Sequence, residues 1–269
     1  MNKDFNIMGV LNVTPDSFSD GGRFVDHESA LIHAESMIAE GADIIDIGGE
    51  STRPGAADVS QQEEINRVVP VIKALRERHP EIPLSIDSRH SEVMAAALDA
   101  GATFINDIHA LQSVGAIEVA VEYDVPVCLM HMQGTPATMQ DNPQYDNVVQ
   151  TVLDFFEQRV EACMRAGLDP DRIILDPGIG FGKTVAHNMR LIQNISTLKQ
   201  MGFPVMIGVS RKSMFQTLLN RSVDQRLAGS LAVAQFAYFQ GADYFRVHDV
   251  AATRDVLTMS HYLVQNETD

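Results

Sequence analysis

Positive charge is scarce in this sequence. The 269 residues include 20 lysines and arginines against 36 aspartates and glutamates, which gives a formal net charge of −16. Such a field repels the phosphates of nucleic acids and of anionic membranes, so neither is an expected partner. An anionic ligand would therefore need a local basic pocket.

Cysteine and long apolar runs are scarce as well. Cys128 and Cys163 are too few for a disulfide framework, and neither has a second cysteine nearby at metal-ligand spacing, so both are expected to be inert packing thiols. The longest apolar stretches have the length of a strand and fall short of the roughly 20 residues that span a bilayer. Residues 1–5 lack the basic and apolar regions of a signal peptide. The sequence thus predicts a soluble protein of the reducing cytoplasm.

Eight short runs rich in β-branched residues alternate with helical patterns along the chain. They cover residues 7–12, 43–48, 84–87, 103–107, 125–131, 172–176, 205–209 and 244–248. Most are continuously apolar, as in parallel strands that are buried on both faces. Glycines fall where each of several helices should end before the next strand, at Gly41, Gly101, Gly167, Gly202 and Gly241.

The apolar content of 45% is sufficient for a full-sized core, and no stretch rich in proline, serine and glycine divides the chain. Eight β-then-α units in one undivided chain predict a closed (β/α)8 TIM barrel, a single domain over residues 1–269. A doubly wound open sheet is the alternative.

Each predicted strand ends in polar residues, at the edge where a TIM barrel builds its active site. In chain order these residues are Asn12, Asp46, Asp87, Asn106 with Asp107, His131, Asp176, Ser210 with Arg211 and Lys212, and Arg246 with His248 and Asp249. Any one of them alone is commonly a loop cap or a buried hydrogen-bonding group. Eight converging strand ends together indicate a binding site.

The chemistry of these residues differs from strand to strand. The central strands offer carboxylate and amide groups suited to a flat heterocycle whose ring N–H and amino groups donate, namely those of Asp87, Asn106 and Asp176. The last two strands offer an anion site, from Lys212, Arg246 and His248. Asn12 supplies one neutral oxygen, so a metal there would be Mg²⁺ completed by water and phosphate oxygens.

Two loops rich in glycine, proline and serine follow the first two strands, at residues 14–24 and 51–58. Such loops can act as lids or be ordinary solvated connections. The glycine-rich run at residues 178–183 lacks the spacing of a phosphate-binding loop and follows a barrel strand, so it is not interpreted as a nucleotide site.

Eight motifs, placed in order over nearly the whole chain, closely resemble those of the dihydropteroate synthase family. They are GVLNVTPDSFSDGG (residues 9–22), DIGGESTRPGA (46–56), IDS (86–88), IND (105–107), LMHMQGTP (129–136), DPGIGFGK (176–183), SRKS (210–213) and RVHDV (246–250). The resemblance implies a TIM-barrel transferase of folate biosynthesis that joins (7,8-dihydropterin-6-yl)methyl diphosphate to 4-aminobenzoate and releases diphosphate. It further implies Mg²⁺ as cofactor, a homodimer, and sulfonamides as mimics of aminobenzoate.

The resemblance also implies roles for individual residues. The pterin would be held by Asp87, Asn106 and Asp176, with Lys212 on its carbonyl side. The aminobenzoate pocket would contain Thr52, Arg53, Pro54, Phe181, Lys212 and Ser213, and the diphosphate would meet Arg246 and His248. Val247 is also expected among the substrate-binding residues. Asn12 matches the Mg²⁺ ligand, Asp16 and Ser17 lie in the first loop, and Lys212, Asp87, Arg246 and His248 are the expected catalytic residues.

Two departures from the family pattern are visible. Ser88 replaces a threonine common among relatives, which keeps the hydroxyl group, and the segment before the first strand is short, so a plug beneath the barrel is expected to be reduced. Three other functions are weighed against synthesis of dihydropteroate: a pterin-dependent methyltransferase, a Schiff-base aldolase that uses Lys212, and a catalytically silent pterin-binding protein.

Overall fold

Strands and helices alternate along the chain as predicted. The computed structural model describes residues 5–14, 22–50, 59–136 and 138–264, with the backbone alone for residues 22–26. The strands are β1 (Asn6–Asn12), β2 (Ile44–Gly48), β3 (Leu84–Asp87), β4 (Phe104–Asp107), β5 (Val127–Met130), β6 (Ile173–Asp176), β7 (Met206–Ile207) and β8 (Tyr244–Val247). The helices are α1 (Gly22–Ala39), α2 (Gln61–Arg78), α3 (Ser91–Asp99), α4 (Ala116–Tyr123), α5 (Val148–Arg165), α6 (Val185–Gln193), α7 (Ile195–Lys199), α8 (Met214–Leu219), α9 (Leu227–Phe239) and α10 (Val250–Val264). Every strand boundary lies within two residues of its predicted position.

In the described part of the chain, the eight strands form one parallel sheet that closes on itself. Hydrogen bonding gives the strand order β6-β5-β4-β3-β2-β1-β8-β7. The two ends of this order meet where Leu175 of β6 pairs with Val205, and the Leu175 amide donates to the Pro204 carbonyl at 2.9 Å. The fold is therefore a TIM barrel, as predicted, and the open doubly wound alternative is wrong.

Apolar side chains pack on both faces of this sheet. Outward-facing side chains, such as those of Ile7, Ile45 and Ile86, form the main core with the surrounding helices. Inside the barrel, a smaller apolar cluster that we call the barrel floor consists of Met8, Ile44, Phe104, Cys128, Ile174 and Met206. Because successive strand residues alternate between the faces, the residues two positions beyond the floor also point into the barrel.

The local signals that mark helix ends act as predicted. The Ser60 hydroxyl caps α2 by accepting from the Glu63 amide at 3.3 Å. The five glycines predicted to end helices all have left-handed φ angles, between +90° and +111°.

Both cysteines lie in the protein interior. Cys128 and Cys163 are free and buried, and burial raises the pKa of both thiols, which makes them unreactive as predicted. Over the described ranges, no helix is both long and apolar enough to cross a bilayer.

Ile72 on α2 and Ile32 on α1 give a matched test of where the core lies. Ile72 is fully buried, whereas Ile32 is 59% exposed. Replacing Ile72 with alanine should lower the free energy of unfolding by about 2–5 kcal/mol, because the change removes buried methyl groups and leaves a cavity. The same change at Ile32 should alter it by less than about 0.5 kcal/mol. Urea unfolding followed by circular dichroism measures both, and equal losses would contradict the assigned core.

Candidate active site

The candidate site lies at the carboxyl ends of the strands, above the barrel floor. Strand pairing places Asp87 opposite Gly48, Asn106 opposite Asp87, and Asp176 opposite Met130. A Cβ at Gly48 would lie 3.4 Å from an Asp87 carboxylate oxygen, an ordinary contact distance, so the end of β2 adjoins this carboxylate. The three residues predicted to orient a heterocycle are buried and lie at the same end of the barrel.

Arg246 joins the polar residues into one network. Its Nε donates to Asp46 Oδ2 and its Nη2 donates to Asp87 Oδ2, both at 2.6 Å. Asp46 also accepts from Asn106 Nδ2 at 3.0 Å and from Ser85 Oγ at 2.6 Å. The network thus connects β2, β3, β4 and β8. Burial opposes the charge on Arg246, but Asp46 and Asp87 outweigh it and raise the pKa of Arg246, which remains a cation.

This placement refines the interpretation of Arg246. The sequence groups Arg246 with Lys212 and His248 as an anion site, whereas two of its three nitrogens are bound to carboxylates. Within the described residues, the Nη1 group makes no hydrogen bond, so its N–H groups are available to a ligand. Diphosphate binding by Arg246 remains a prediction. It would use Nη1 and the positive charge of the whole guanidinium.

Burial controls the charge of the neighbouring carboxylates. It raises the pKa of Asp87 to about 7, with Arg246 opposing the shift and Asp46 adding to it. It also raises the pKa of Asp176, against a 2.7 Å hydrogen bond from the Gly178 amide and the charge of Lys212. Asp87 therefore titrates near neutral pH.

The loop after β6 brings an aromatic ring and a lysine together. Gly178 has a φ of +67°, and a Cβ there would lie 2.0 Å from the His131 carbonyl oxygen, so only glycine fits. Further along this loop, the Phe181 ring centroid lies 4.3 Å from Lys212 Nζ. Such a cation–π contact stabilises by about 0.5–2 kcal/mol. Burial, and then the charge of Arg246, lower the pKa of Lys212 to about 8, so this amine is mostly charged at neutral pH.

Lys183 is buried and holds the same loop in place through hydrogen bonds. Its Nζ donates to the carbonyls of His131 at 3.1 Å and Phe181 at 2.9 Å, and it lies 3.0 Å from His131 Nδ1. Burial lowers the pKa of Lys183 to about 7, and burial with the Lys183 charge lowers that of His131 to about 3. These contacts account for Lys183 without a nucleotide. The sequence predicted no role for Lys183, although a lysine that ends a glycine-rich run was the available signal.

His248 contributes a neutral group rather than a charge. Burial, followed by the charges of Arg246 and Arg211, lowers the pKa of His248 to about 4. Ser210 Oγ accepts from the His248 amide at 3.2 Å and lies 3.0 Å from His248 Nδ1. Because the Ser210 hydroxyl can donate to Nδ1, we assign the ring proton to Nε2, where it is available to a ligand.

Not every predicted residue faces the inside of the barrel. Val247 is 3% exposed and packs in the main core, so a ligand in the barrel could meet only its backbone. Asp107, next to Asn106 in the chain, accepts from the amides of His109 and Leu111, both at 2.7 Å, and is a loop cap. Ser213 is exposed at the N-cap position of α8, next to Lys212.

Several predicted residues lie outside the described part of the chain. They are Thr52, Arg53 and Pro54 of the expected aminobenzoate pocket and Asp16 and Ser17 of the first loop.

Asn12 ends β1 and is the predicted metal ligand. It lies four residues beyond Met8 of the barrel floor, so its side chain points into the barrel. Within the described residues, this side chain makes no hydrogen bond. One uncommitted amide oxygen fits Mg²⁺, which keeps several waters and takes its remaining ligands from phosphate.

A second charged cluster lies beside the site. Glu50, Glu64 and His90 bring their ligand atoms within 4.8 Å of one another. Arg89 donates to both Glu50 oxygens, at 3.1 and 3.2 Å, and His90 Nδ1 lies 2.9 Å from Glu64 Oε2. The Arg89–Glu50 ion pair and the His90–Glu64 hydrogen bond thus tie the end of β2 to α2 and to the start of α3.

Comparison with known proteins shows which family the chain is similar to. The family model described as pterin binding enzyme matches residues 8–248. Dihydropteroate synthase of Haemophilus influenzae is 54% identical over 251 residues, which make up 93% of this chain and 91% of the relative.

Solved structures agree with the sequence comparison. Yersinia pestis dihydropteroate synthase with a sulfonamide drug complex has a TM-score of 0.92 and 48% identity, over 97% of this chain and 94% of that one. The Xanthomonas albilineans enzyme with 4-aminobenzoic acid has a TM-score of 0.91 and 46% identity, over 96% and 93%. The same enzyme in complex with 7,8-dihydropteroate has a TM-score of 0.88 and 43% identity, again over 96% and 93%.

The family model covers most of the chain, and the relatives match it nearly end to end with about half of the residues identical. The chain belongs to the dihydropteroate synthase family, the pterin-binding enzymes of folate biosynthesis.

Proposed function

We propose that this barrel joins (7,8-dihydropterin-6-yl)methyl diphosphate to 4-aminobenzoate and that the residues at its strand ends bind different parts of the substrates. The observation that carries this assignment is the network in which Arg246 bridges Asp46 and Asp87 while Asn106 shares Asp46. Asp176 flanks the same space, since a Cβ at Gly208 would lie 3.9 Å from Asp176 Oδ2 and 4.0 Å from Arg246 Cβ. The solved relatives that hold the substrate 4-aminobenzoic acid and the product 7,8-dihydropteroate support this reaction.

The pterin is bound by acceptors. Its ring N–H and amino groups donate, and the Asp87 and Asp176 carboxylates with the Asn106 amide oxygen supply acceptors that are already buried. Lys212 donates to the pterin carbonyl. Because these groups are held before the ligand arrives, little reorganisation opposes binding.

The reaction depends on stabilising the departing diphosphate, and it requires no nucleophilic side chain of the protein. As C–O cleavage places negative charge on diphosphate, the cations Lys212 and Arg246 and the His248 Nε2–H stabilise it. The arylamine nitrogen then forms the new C–N bond to the pterin methylene carbon and releases one proton to solvent, while the diphosphate leaves with the electrons of the broken C–O bond. Mg²⁺ held by Asn12 supplies further neutralisation of the diphosphate when bound.

The aminobenzoate end lies on the outer side of Lys212. Phe181 provides an apolar face beside Lys212, and Ser213 follows at the rim. We assign Thr52, Arg53 and Pro54 to the same pocket on the resemblance of their motif.

Release of diphosphate tests this function directly. Purified protein should release diphosphate from the pterin diphosphate only when 4-aminobenzoate and Mg²⁺ are both present, with dihydropteroate formed in equal amount. A chelator should suppress the reaction because uncompensated charge then remains on the leaving group. Tight pterin binding without release would instead favour the silent binding protein.

Asp87 and Asp107 offer a matched pair of strand-end aspartates that face opposite ways. Asp87→Asn should weaken pterin binding at least about tenfold, because an amide cannot accept from all the donors a carboxylate serves. Asp107→Asn should leave pterin affinity within about twofold while lowering the thermal midpoint, because it weakens a loop cap. Isothermal titration and thermal unfolding measure both variants.

The pH dependence of the same titration provides a second readout. The pKa of Asp87 near 7 means that wild-type affinity for the pterin should fall as the pH drops below 7, since the acceptor becomes protonated. Asp87→Asn should lack this dependence. A profile unchanged by the substitution would contradict the assignment of Asp87.

We further propose that the chain forms a homodimer through α9 and α10. α9 carries Phe236 and Phe239 exposed on one side, although its other side is already packed. α10 adds Met259 and Tyr262, and Gln235 Nε2 donates to Ser260 Oγ at 2.9 Å, so the two helices form one surface. An exposed apolar surface of this kind is typical of a subunit interface.

Phe236→Asp should therefore shift the protein from dimer to monomer in light scattering after size exclusion, because a desolvated charge at an interface is costly. Ile32→Asp, also at an exposed apolar helix position but on α1, should leave the dimer intact. A monomeric wild-type protein would refute the dimer.

A further inference from the structure

Asp46 lies beneath the proposed pterin site and is enclosed by its donors. The residue has no exposed surface. Its Oδ1 accepts from Ser85 Oγ at 2.6 Å, and its Oδ2 accepts from Asn106 Nδ2 at 3.0 Å and from Arg246 Nε at 2.6 Å. Both carboxylate oxygens are thus committed to protein groups rather than to a ligand.

A buried carboxylate determines the orientation of the side chains that donate hydrogen bonds to it. Because a carboxylate only accepts, the amide of Asn106 must turn its nitrogen towards Asp46, which leaves its oxygen free on the other side. In the same way, the bond from Nε fixes the plane of the Arg246 guanidinium, whose Nη2 then meets Asp87 Oδ2 at 2.6 Å. One side chain therefore sets the orientation of two others.

We propose that Asp46 is a positioning residue that sets the donor and acceptor pattern met by the pterin, acting through Asn106 and Arg246. This inference rests on the proposed function, since that function assigns Asn106 and Asp87, the partner of Arg246 Nη2, to the pterin end. Without the carboxylate, Asn106 can present either its nitrogen or its oxygen, and Arg246 can turn fully towards Asp87.

Asp46→Asn is the informative substitution because it preserves size. The new amide carries no negative charge to hold the Arg246 guanidinium, and its single oxygen can accept from Asn106 and Arg246 only if its nitrogen turns to donate to the Ser85 hydroxyl. We expect the dissociation constant of (7,8-dihydropterin-6-yl)methyl diphosphate to rise at least about tenfold. The apparent affinity for aminobenzoate at saturating pterin should stay within about twofold of wild type, since Phe181 and Ser213 lie outside the network.

Ser85→Ala is the matched control. It removes one hydrogen bond to Asp46 Oδ1 but leaves both bonds to Oδ2 in place. Its thermal midpoint should fall, whereas its pterin affinity should remain within about twofold of wild type. A merely structural role for Asp46 would lower the midpoint of both variants without changing pterin affinity in either.

Asn106→Ala completes the experiment. If Asp46 acts through its partners, adding Asp46→Asn to Asn106→Ala should weaken pterin binding by a smaller factor than Asp46→Asn does alone. Full additivity would overturn the inference, as would unchanged pterin affinity in Asp46→Asn.

The outcomes for the proposed function and for this inference can be told apart. A wild-type protein that does not bind the pterin diphosphate refutes the proposed function. If the wild-type protein binds the pterin diphosphate but the Asp46→Asn variant loses affinity for both substrates equally, the proposed function stands and only the positioning role of Asp46 is refuted. Should Asp46→Asn not fold, Asp46→Glu keeps the charge while displacing both oxygens, and the same selective loss of pterin affinity is expected.

Discussion

The guanidinium of Arg246 lies inside the barrel between Asp46 and Asp87, and the surrounding polar structure depends on this arrangement. Asp46, Asp87 and Asp176 are all buried, and an isolated carboxylate in such surroundings would be strongly destabilising. Arg246 compensates two of them directly and the Lys212 charge acts on the third. Three buried carboxylates can lie this close together only because the positive charges of Arg246 and Lys212 lie among them.

This arrangement carries a cost in stability that the floor and the outer core offset. Buried ion pairs contribute little net stability, because desolvation opposes their attraction. The apolar floor closes the barrel below the charges, and the outward faces of the same strands pack against the helices. β2, β3, β4 and β8 therefore contribute one face to the main core and the other to the polar network.

The positive charge needed to bind an anion is concentrated at one place in a strongly acidic protein. Lys212 and Arg246 converge there, while His248 remains neutral because burial and its cationic neighbours disfavour a further charge. The overall field repels anions at a distance, so recognition of a diphosphate depends on these short-range contacts.

The sequence by itself determined the strands, their number and their order, because strands buried on both faces leave continuous apolar runs and glycines mark the helix ends. It also placed Asp87, Asn106 and Asp176 at the strand ends. Only the tertiary structure decided which face each residue takes. Asn106 and Asp107 are neighbours, yet one joins the network and the other caps a loop. Hydropathy carries no sign of this difference, because both faces of such a strand are buried. The partners of Arg246, the neutrality of His248 and the place of Asp46 likewise follow from strands distant in sequence that meet only when the barrel closes.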